Sequence, residues 1–259
     1  MKESKLLTIL MSVLAALLVL TGSIAVPLLC RPFYYAHIAF FDLTRYGVSV
    51  EQIKTAYNEM MNFCLGFSEE FSVGVLAFSK SGMEHFADVR RLFQLNLWVL
   101  GLSFAALIVL LAVCRKKKLC SAPVKGHGPG FWAAVGLASV FVIIGGLAAL
   151  DFDKAFVVFH SIFFPGKTNW IFDWRTDPII LLLPQDFFMN CAILILALIL
   201  VWCAAMIAAD IWAGKKRRAI EEKRRKAAEI QAVFDRFDNP CQGCASFKPD
   251  GKGGCSGCN

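Results

Sequence analysis

Four long uncharged runs dominate the pattern of apolar and polar positions along the chain. They cover residues 6–29, 92–114, 131–150 and 187–213, and within them only Asp210 carries a charge. At about 1.5 Å of rise per residue, each run is long enough to cross the hydrocarbon core of a bilayer as a helix. The pattern therefore predicts an all-α membrane protein with four transmembrane helices.

Two longer segments, 30–91 and 151–186, connect these runs. In the first, Ser49 and Gln52 form a capping-box signature, and apolar residues then recur at helical spacing until Gly66. The recurring residues are Ile53, Tyr57, Met60, Met61 and Cys64. We expect an amphipathic helix here, packed either on the helix bundle or on the lipid headgroups.

The second connecting segment, 151–186, is too rich in aromatic residues for a freely solvated loop. Part of this richness is the aromatic belt found at any membrane interface. Acidic residues and His160 among the aromatic ones predict, in addition, a polar pocket with apolar walls. The run 178–184 is too short to span a membrane, so it lies flat or dips into it. We expect 30–91 and 151–186 to form a structured extracytoplasmic cap.

The composition narrows the class of protein further. Hydrophobic residues make up 57% of the chain and charged residues 18%, which argues against an ordinary soluble domain and against a disordered chain. The net charge of +7 comes mainly from basic stretches beside the runs, which favours attraction to anionic lipid over binding to nucleic acid. We expect no nucleic-acid partner.

Lysine and arginine are concentrated in two stretches, and their positions predict the orientation. The connection 115–130 carries five basic residues and no acid, and the stretch 214–226 is also strongly basic. Short connections rich in these residues stay in the cytoplasm during insertion. Together with Lys2 and Lys5, they place both termini in the cytoplasm. This orientation predicts a multi-pass membrane protein in which segments 30–91 and 151–186 lie outside.

Two of the four histidines, His85 and His160, fall at the predicted outer ends of the second and third runs. Glu84 and Asp88 share a helix face with His85, because residues three and four apart are neighbours on a helix. A carboxylate at Asp88 can orient the imidazole and stabilise its protonated form. One such histidine alone is more simply an interface residue, whereas two that converge favour proton-transfer catalysis.

Further polar residues surround these histidines in the sequence. Arg90 is a candidate donor to a substrate oxygen, and we interpret Arg91 as an anchor at the membrane surface. Trp170, Asp173 and Asp177 are expected to shape the opposite wall of the pocket. Neither a Gly-rich phosphate loop nor a nucleophile elbow nor a His-Glu-x-x-His pair is present, so nothing supports nucleotide use, an α/β-hydrolase or a zinc protease.

Two sequence blocks resemble those of the bacterial lipoprotein intramolecular transacylases. They are residues 84–90, EHFADVR, and residues 156–164, FVVFHSIFF, and Asn169-Trp170 follows the second block. The resemblance extends over residues 1–213 by topology, and it implies a multi-pass protein of the bacterial cell membrane whose active site faces outward. The expected reaction transfers the sn-2 acyl chain of an S-diacylglyceryl-cysteine lipoprotein to the N-terminal α-amine of that same lipoprotein, as the resemblance implies. The product is an N-acyl lyso-form lipoprotein.

The resemblance also implies roles for the residues named above. His85, His160 and Asp88 are the expected catalytic residues, with the acid and base roles of the two histidines left open. Glu84, Arg90, Trp170, Asp173 and Asp177 are expected to bind the substrate. Diacylated lipoproteins and membrane lipid are the expected partners, and catalysis needs no cofactor and no nucleotide.

The carboxyl-terminal part differs in character from the transmembrane catalytic domain, 1–213. A basic cytoplasmic helix is predicted over 214–240, and a cysteine-rich tail follows over 241–259. Two Cys-x-x-Cys pairs in the tail have the spacing of a tetrahedral metal site, and they are Cys241, Cys244, Cys255 and Cys258. Zinc is the favoured occupant in a reducing compartment, and thiol redox chemistry or an iron–sulfur cluster is the alternative.

Two other functions remain open at this stage. One is a membrane scaffold or sensor whose tail responds to zinc or to redox state. The other is an extracytoplasmic lipid hydrolase that uses the same histidine pair.

Overall fold

The computed structural model describes residues 2–238, and the cysteine-rich tail predicted to bind zinc lies outside them. The chain divides into two units, Met1–Asp210 and Ile211–Asn259. Its elements in chain order are β1 (Lys2–Ser4), α1 (Lys5–Leu29), α2 (Arg31–Phe40), α3 (Val50–Leu65), α4 (Lys80–Lys117), β2 (Leu119–Ser121), α5 (Pro129–Leu150), α6 (Phe152–Phe163), α7 (Ile179–Leu182) and α8 (Gln185–Asp238).

Each predicted run lies in a helix that is long and apolar enough to cross a membrane, and these helices are α1, α4, α5 and α8. Only small fractions of their apolar windows are buried inside the protein, as expected where lipid covers the remaining surface. The prediction of four helical spans is thereby confirmed at the level of the fold. All four helices extend beyond the uncharged runs, and α4 begins well before the second run.

Local sequence signals explain where α3 starts and ends and where α4 starts. Ser49 and Gln52 form both hydrogen bonds of the predicted capping box, and Gly66 ends α3 with a positive φ of 88°. Ser79 caps α4, its side chain accepting a hydrogen bond from the backbone N–H of Gly82. Because α4 begins directly after Ser79, His85 lies in its second turn.

The first unit has two ends that differ in architecture. At one end, β1 and β2 pair in parallel, and Thr8 donates a hydrogen bond to the carbonyl of Ala122 at 2.7 Å. His127 and the backbone N–H of Gly128 hold the carboxylate of Asp210 at this same end. The basic connection between α4 and α5 therefore lies far from the histidines predicted to be catalytic.

The opposite end contains the main hydrophobic core, which we call the aromatic core. Tyr34 and Tyr57 stack at 3.7 Å between ring centroids, and the Tyr34 hydroxyl donates to the carbonyl of Leu182 at 2.9 Å. The apolar face predicted for α3 is entirely buried here. Its members are Ile53, Tyr57, Met60, Met61 and Cys64. The helix α3 therefore packs on protein, which decides between the two surroundings expected for it.

The short helix α7 is also part of the aromatic core. Ile179 and Leu182 are almost completely buried. The run 178–184 packs into this core, where the Tyr34 hydroxyl on α2 bonds to the carbonyl of Leu182, and its expected position flat on the membrane or dipping into it stays a prediction. Its apolar residues have protein neighbours, which explains why a run too short to span is nevertheless strongly hydrophobic.

Candidate functional site

The two histidines predicted to converge lie side by side. His85 on α4 and His160 on α6 are both buried, and their ring centroids are 6.0 Å apart with 30° between the planes. The buried ring of Phe164 contacts both, at 5.0 Å from His85 and 5.7 Å from His160. Residues that are 75 positions apart in the sequence thus share one pocket.

Aromatic side chains enclose this pair on several sides. Trp170 stacks on His160 at 4.6 Å and 28°, and Phe156 lies 4.2 Å from the same ring. Phe172 meets His85 edge-on at 5.4 Å. These rings keep water from most of the imidazole surface, which strengthens hydrogen bonds and charge interactions inside the pocket. Trp170 is therefore placed beside the histidines, where the sequence predicted a wall.

One hydrogen bond fixes the tautomer of neutral His160. Its Nδ1 lies 2.8 Å from the carbonyl oxygen of Phe156. Because a carbonyl oxygen only accepts, Nδ1 carries the proton and donates, which leaves a lone pair on Nε2. Burial lowers the pKa of His160 below its ordinary value, and the bond to Phe156 opposes this in part. At neutral pH the ring is therefore a neutral base.

His85 is oriented by packing more than by hydrogen bonds. Its Nδ1 is buried and has no hydrogen-bond partner among residues 2–238. Such an orphaned polar atom is unfavourable unless another group completes it. The site therefore offers two imidazoles, one with a fixed proton position and one with an unfilled hydrogen bond.

Asp88 does not hydrogen-bond to His85, contrary to the role predicted for it. Its carboxylate instead pairs with Lys167 at 2.5 Å and Arg91 at 3.4 Å, and the amide of Asn169 donates to it at 3.4 Å. The predicted orientation of the imidazole by Asp88 is therefore wrong in this geometry, because the carboxylate turns toward the loop after α6. Its effect on His85 is limited to the electrostatic field of a nearby charge.

Lys167 is the residue at this site that sequence reasoning missed. Its ammonium group binds Asp88 on α4, and its backbone carbonyl accepts a hydrogen bond from Trp170 Nε1 at 3.1 Å. Trp170 in turn stacks on His160. Gly166, with a positive φ of 73°, makes the turn that brings the lysine there. That turn after α6 was the only signal, and a lysine in a loop otherwise resembles a solvated residue.

Arg90 points away from the histidines and binds within the chain, so its role as a donor to the substrate stays a prediction. Its guanidinium binds the carbonyl of Ser68 at 2.7 Å and the carboxylate of Glu69 at 3.1 Å. Five residues separate it from His85, which puts it on another face of α4. Arg91 is the arginine that reaches Asp88, at 3.4 Å, and its role as an anchor at the membrane surface stays a prediction.

Asp173 and Asp177 are the remaining acidic residues that the sequence predicted to bind substrate. Asp177 is buried and accepts hydrogen bonds from the backbone N–H of Ser79 and the hydroxyl of Thr176, so it fixes the start of α4. Asp173 is exposed and pairs with Arg175. Neither carboxylate faces the histidine pair, so the prediction that they contact substrate is not supported by this arrangement.

A polar cavity of about 460 Å³ opens beside the histidine pair. Its lining joins the first turns of α4 to the loop after α6, and it comprises Ser81, Glu84, Ala87, Asp88, Arg91, Gly166, Lys167, Thr168 and Asn169. Glu84 lies at its rim, exposed and 3.9 Å from Lys80. The site thus combines two buried imidazoles enclosed by aromatic rings with an adjoining polar cavity.

A family model decides the relationship of this chain to known proteins. The model described as lipoprotein intramolecular transacylase Lit matches residues 9–188, which include both histidines and every residue that lines the polar cavity. The chain belongs to the Lit family. A comparison with proteins of curated function found no match.

Solved structures show the same fold for this Lit-family chain. A structure of the membrane integral lipoprotein intramolecular transacylase Lit from Bacillus cereus superposes with a TM-score of 0.73 at 24% identity. The match covers 83% of this chain and 97% of that one. Structures of two histidine variants of the same Bacillus cereus protein, one with arginine and one with alanine, each match with a TM-score of 0.68.

Metal-ligating groups do not cluster in the part of this Lit-family chain that the structure describes. No group of three or more His, Cys, Asp or Glu side chains has a geometry suited to a metal ion within residues 2–238. The four tail cysteines predicted as ligands belong to the remaining residues and stay a prediction.

Proposed function

We propose that this chain moves the sn-2 acyl chain of an S-diacylglyceryl-cysteine lipoprotein onto the α-amine of the same cysteine. The product is an N-acyl lyso-form lipoprotein. The observation that carries the proposal is the pairing of His85 and His160 in one aromatic pocket beside a polar cavity. The aromatic side chains around the imidazoles suit an acyl ester, and the polar cavity suits the cysteine and the peptide that follows it.

The chemistry needs a proton acceptor and a proton donor but no energy source. Replacing an ester with an amide is downhill, and holding both groups on one molecule makes the attack effectively unimolecular. In the proposed step the amine nitrogen bonds to the ester carbonyl carbon, and the bond from that carbon to the sn-2 oxygen breaks. One proton leaves the amine and one reaches the departing oxygen, so neither cofactor nor nucleotide is consumed.

The tautomer of His160 supports an assignment of the two roles. Because Nδ1 of His160 donates to the carbonyl of Phe156, its free Nε2 is the general base that accepts the amine proton. His85 is then the general acid: it passes the proton taken up by His160 to the sn-2 oxygen, which returns both rings to their starting state, and its orphaned Nδ1 gains a partner when substrate binds. Direct transfer from ester to amine needs no further nucleophile, and an acyl-imidazole would be its covalent alternative.

Mass spectrometry of a reporter lipoprotein tests this proposal against lipid hydrolysis. The chain is expressed in a bacterial host that lacks the activity, and the lipidated N-terminal peptide is analysed. We expect one acyl chain on the α-amine and one on the glyceryl group. Loss of an acyl chain with an unmodified amine would identify a hydrolase instead, and an unchanged diacyl peptide would rule out both enzymes.

The pH dependence follows from the lowered pKa of His160. The α-amine titrates at about 7.7–8.0 and an ordinary histidine at about 6.5. Because burial keeps His160 neutral throughout this upper range, the rise in N-acylation between neutral and alkaline pH should reflect the amine alone. Release of fatty acid to water as a side reaction should stay level there and fall only below the histidine pKa. One shared rise of both reactions with the amine pKa would contradict this assignment.

We propose that the active site faces outward and that both termini are cytoplasmic. The basic residues at the end of α4 support this, because Arg115, Lys116 and Lys117 lie at the end of that helix opposite to His85. A reporter that fluoresces only in the cytoplasm should be bright when fused after Lys118 and dark when fused after Gly166. The reverse pattern would refute the orientation.

The tail is proposed to hold zinc as an appendage that catalysis does not need. Purified full-length chain should contain about one zinc ion, bound by Cys241, Cys244, Cys255 and Cys258. Cys244→Ser should remove most of the metal and leave N-acylation nearly unchanged. Loss of the activity together with the metal would favour a sensor or scaffold whose tail controls the protein.

A further inference from the structure

The side chain of Asn169 presents a buried hydrogen-bond acceptor that is unused. Its Oδ1 has no partner among the described residues. Its Nδ2 donates to Asp88 Oδ2 at 3.4 Å. Because an ionised carboxylate only accepts, the nitrogen must face Asp88, and the oxygen is therefore fixed in the other direction. A buried acceptor without a donor is unfavourable, so the site is incomplete until a donor arrives.

The position of this acceptor connects it to the proposed reaction. Asn169 lines the polar cavity together with Asp88 and Lys167. The next residue, Trp170, stacks on His160. The amide oxygen therefore belongs to the short stretch of chain that joins the polar cavity to the proposed base.

We propose that Asn169 Oδ1 binds an N–H of the substrate's α-amine and thereby selects the amine as nucleophile. This inference rests on the proposed function. A neutral amine has two N–H groups and one lone pair. One N–H reaches Asn169, the second donates to Nε2 of His160, and the lone pair then faces the ester carbonyl. The ester oxygens are acceptors only, so they cannot satisfy Asn169.

Selection of the amine has a measurable consequence, because water competes for the same ester. A hydrogen bond to the amine favours amide formation and leaves attack by water unaffected. The partition between N-acyl product and free fatty acid therefore reports on Asn169. A purely structural role would lower both products together.

The test uses purified full-length chain and a synthetic S-diacylglyceryl-cysteinyl peptide, with both products measured in one sample. In Asn169→Ala, the ratio of N-acyl product to fatty acid should fall about tenfold, as expected for the loss of one hydrogen bond in a dry site. Fatty-acid release should stay within about twofold of the wild type. The exposed Arg175, which does not line the cavity, provides the control variant Arg175→Ala.

Asn169→Asp separates the acceptor from the bond to Asp88. Aspartate keeps an oxygen in place but cannot donate to Asp88, and its charge favours the protonated amine. At alkaline pH, where both variants' amines are neutral, we expect near-normal partition in Asn169→Asp, with its rise of N-acylation displaced to higher pH. A fall in partition equal to that of Asn169→Ala, or an equal loss of both products in Asn169→Ala, would overturn the inference. Absence of N-acyl product from the wild type would instead reject the proposed function itself.

Discussion

Replacement of either His85 or His160 with alanine is expected to reduce formation of the N-acyl lyso-form by at least about 100-fold. The physical reason is that each imidazole accepts or donates a proton that water in this enclosed site cannot transfer. Without His160, no group of matching pKa accepts the amine proton. Without His85, the sn-2 oxygen must leave without a proton. The measurement is the initial rate of N-acylation on the synthetic substrate, followed by mass spectrometry.

His127→Asn provides the matched control for these two variants. His127 is also hydrogen-bonded and packed on an aromatic ring, but it lies at the opposite end of the long helices. Asparagine can keep the contact with Asp210, so the fold should be retained and the rate should stay within about twofold of the wild type. Full activity in both His85→Ala and His160→Ala, with all proteins folded, would exclude the histidine pair as the catalytic centre.

The second large effect is expected at the ion pair between Lys167 and Asp88. Lys167→Met leaves the buried Asp88 carboxylate with only the exposed Arg91 and the amide of Asn169. It also loosens the loop that holds Trp170 against His160. A displacement of this loop by a fraction of an ångström should lower kcat by tenfold or more, because catalysis depends steeply on position. The measurement is kcat and KM on the synthetic substrate.

Two further variants distinguish this positioning role from general destabilisation. Lys167→Arg keeps the charge and should recover most of the rate. The double variant Asp88→Asn and Lys167→Met should be more active than Lys167→Met alone, because it leaves no unpaired buried charge. If the double variant instead loses the product of the two single losses, the two residues act independently and the ion pair has no positioning role.

The sequence predicted those parts of the molecule that depend on local periodicity and capping. Four uncharged runs identify the four long helices because lipid demands an unbroken apolar surface. The cap at Ser49 and the stop at Gly66 bound α3 because both act on adjacent backbone groups. The convergence of His85 and His160 was also predictable, because both stand at matching ends of two spans.

The hydrogen-bond partners within the site could not be predicted in this way. Asp88 lies on α4, but its carboxylate contacts the loop after α6. Helical periodicity predicts only the neighbours of Asp88 on its own helix. The carboxylate pairs with Lys167 and not with His85 because the chain turns at Gly166, and the direction of that turn depends on the tertiary structure. The pair of Arg91 with Asp88 was predictable, because residues three apart are neighbours on a helix, whereas Arg90 finds its partner Ser68 in a different segment.

The central claim is that His85 and His160 act together on one acyl group, and a kinetic double-mutant cycle tests it most directly. The rates of N-acylation are compared for the wild type, His85→Ala, His160→Ala and the double variant. Residues that act as one unit give losses far from additive in free energy, so the double variant should be about as slow as the slower single variant. A double variant whose loss equals the product of the two single losses would show that the imidazoles work separately and would contradict this account.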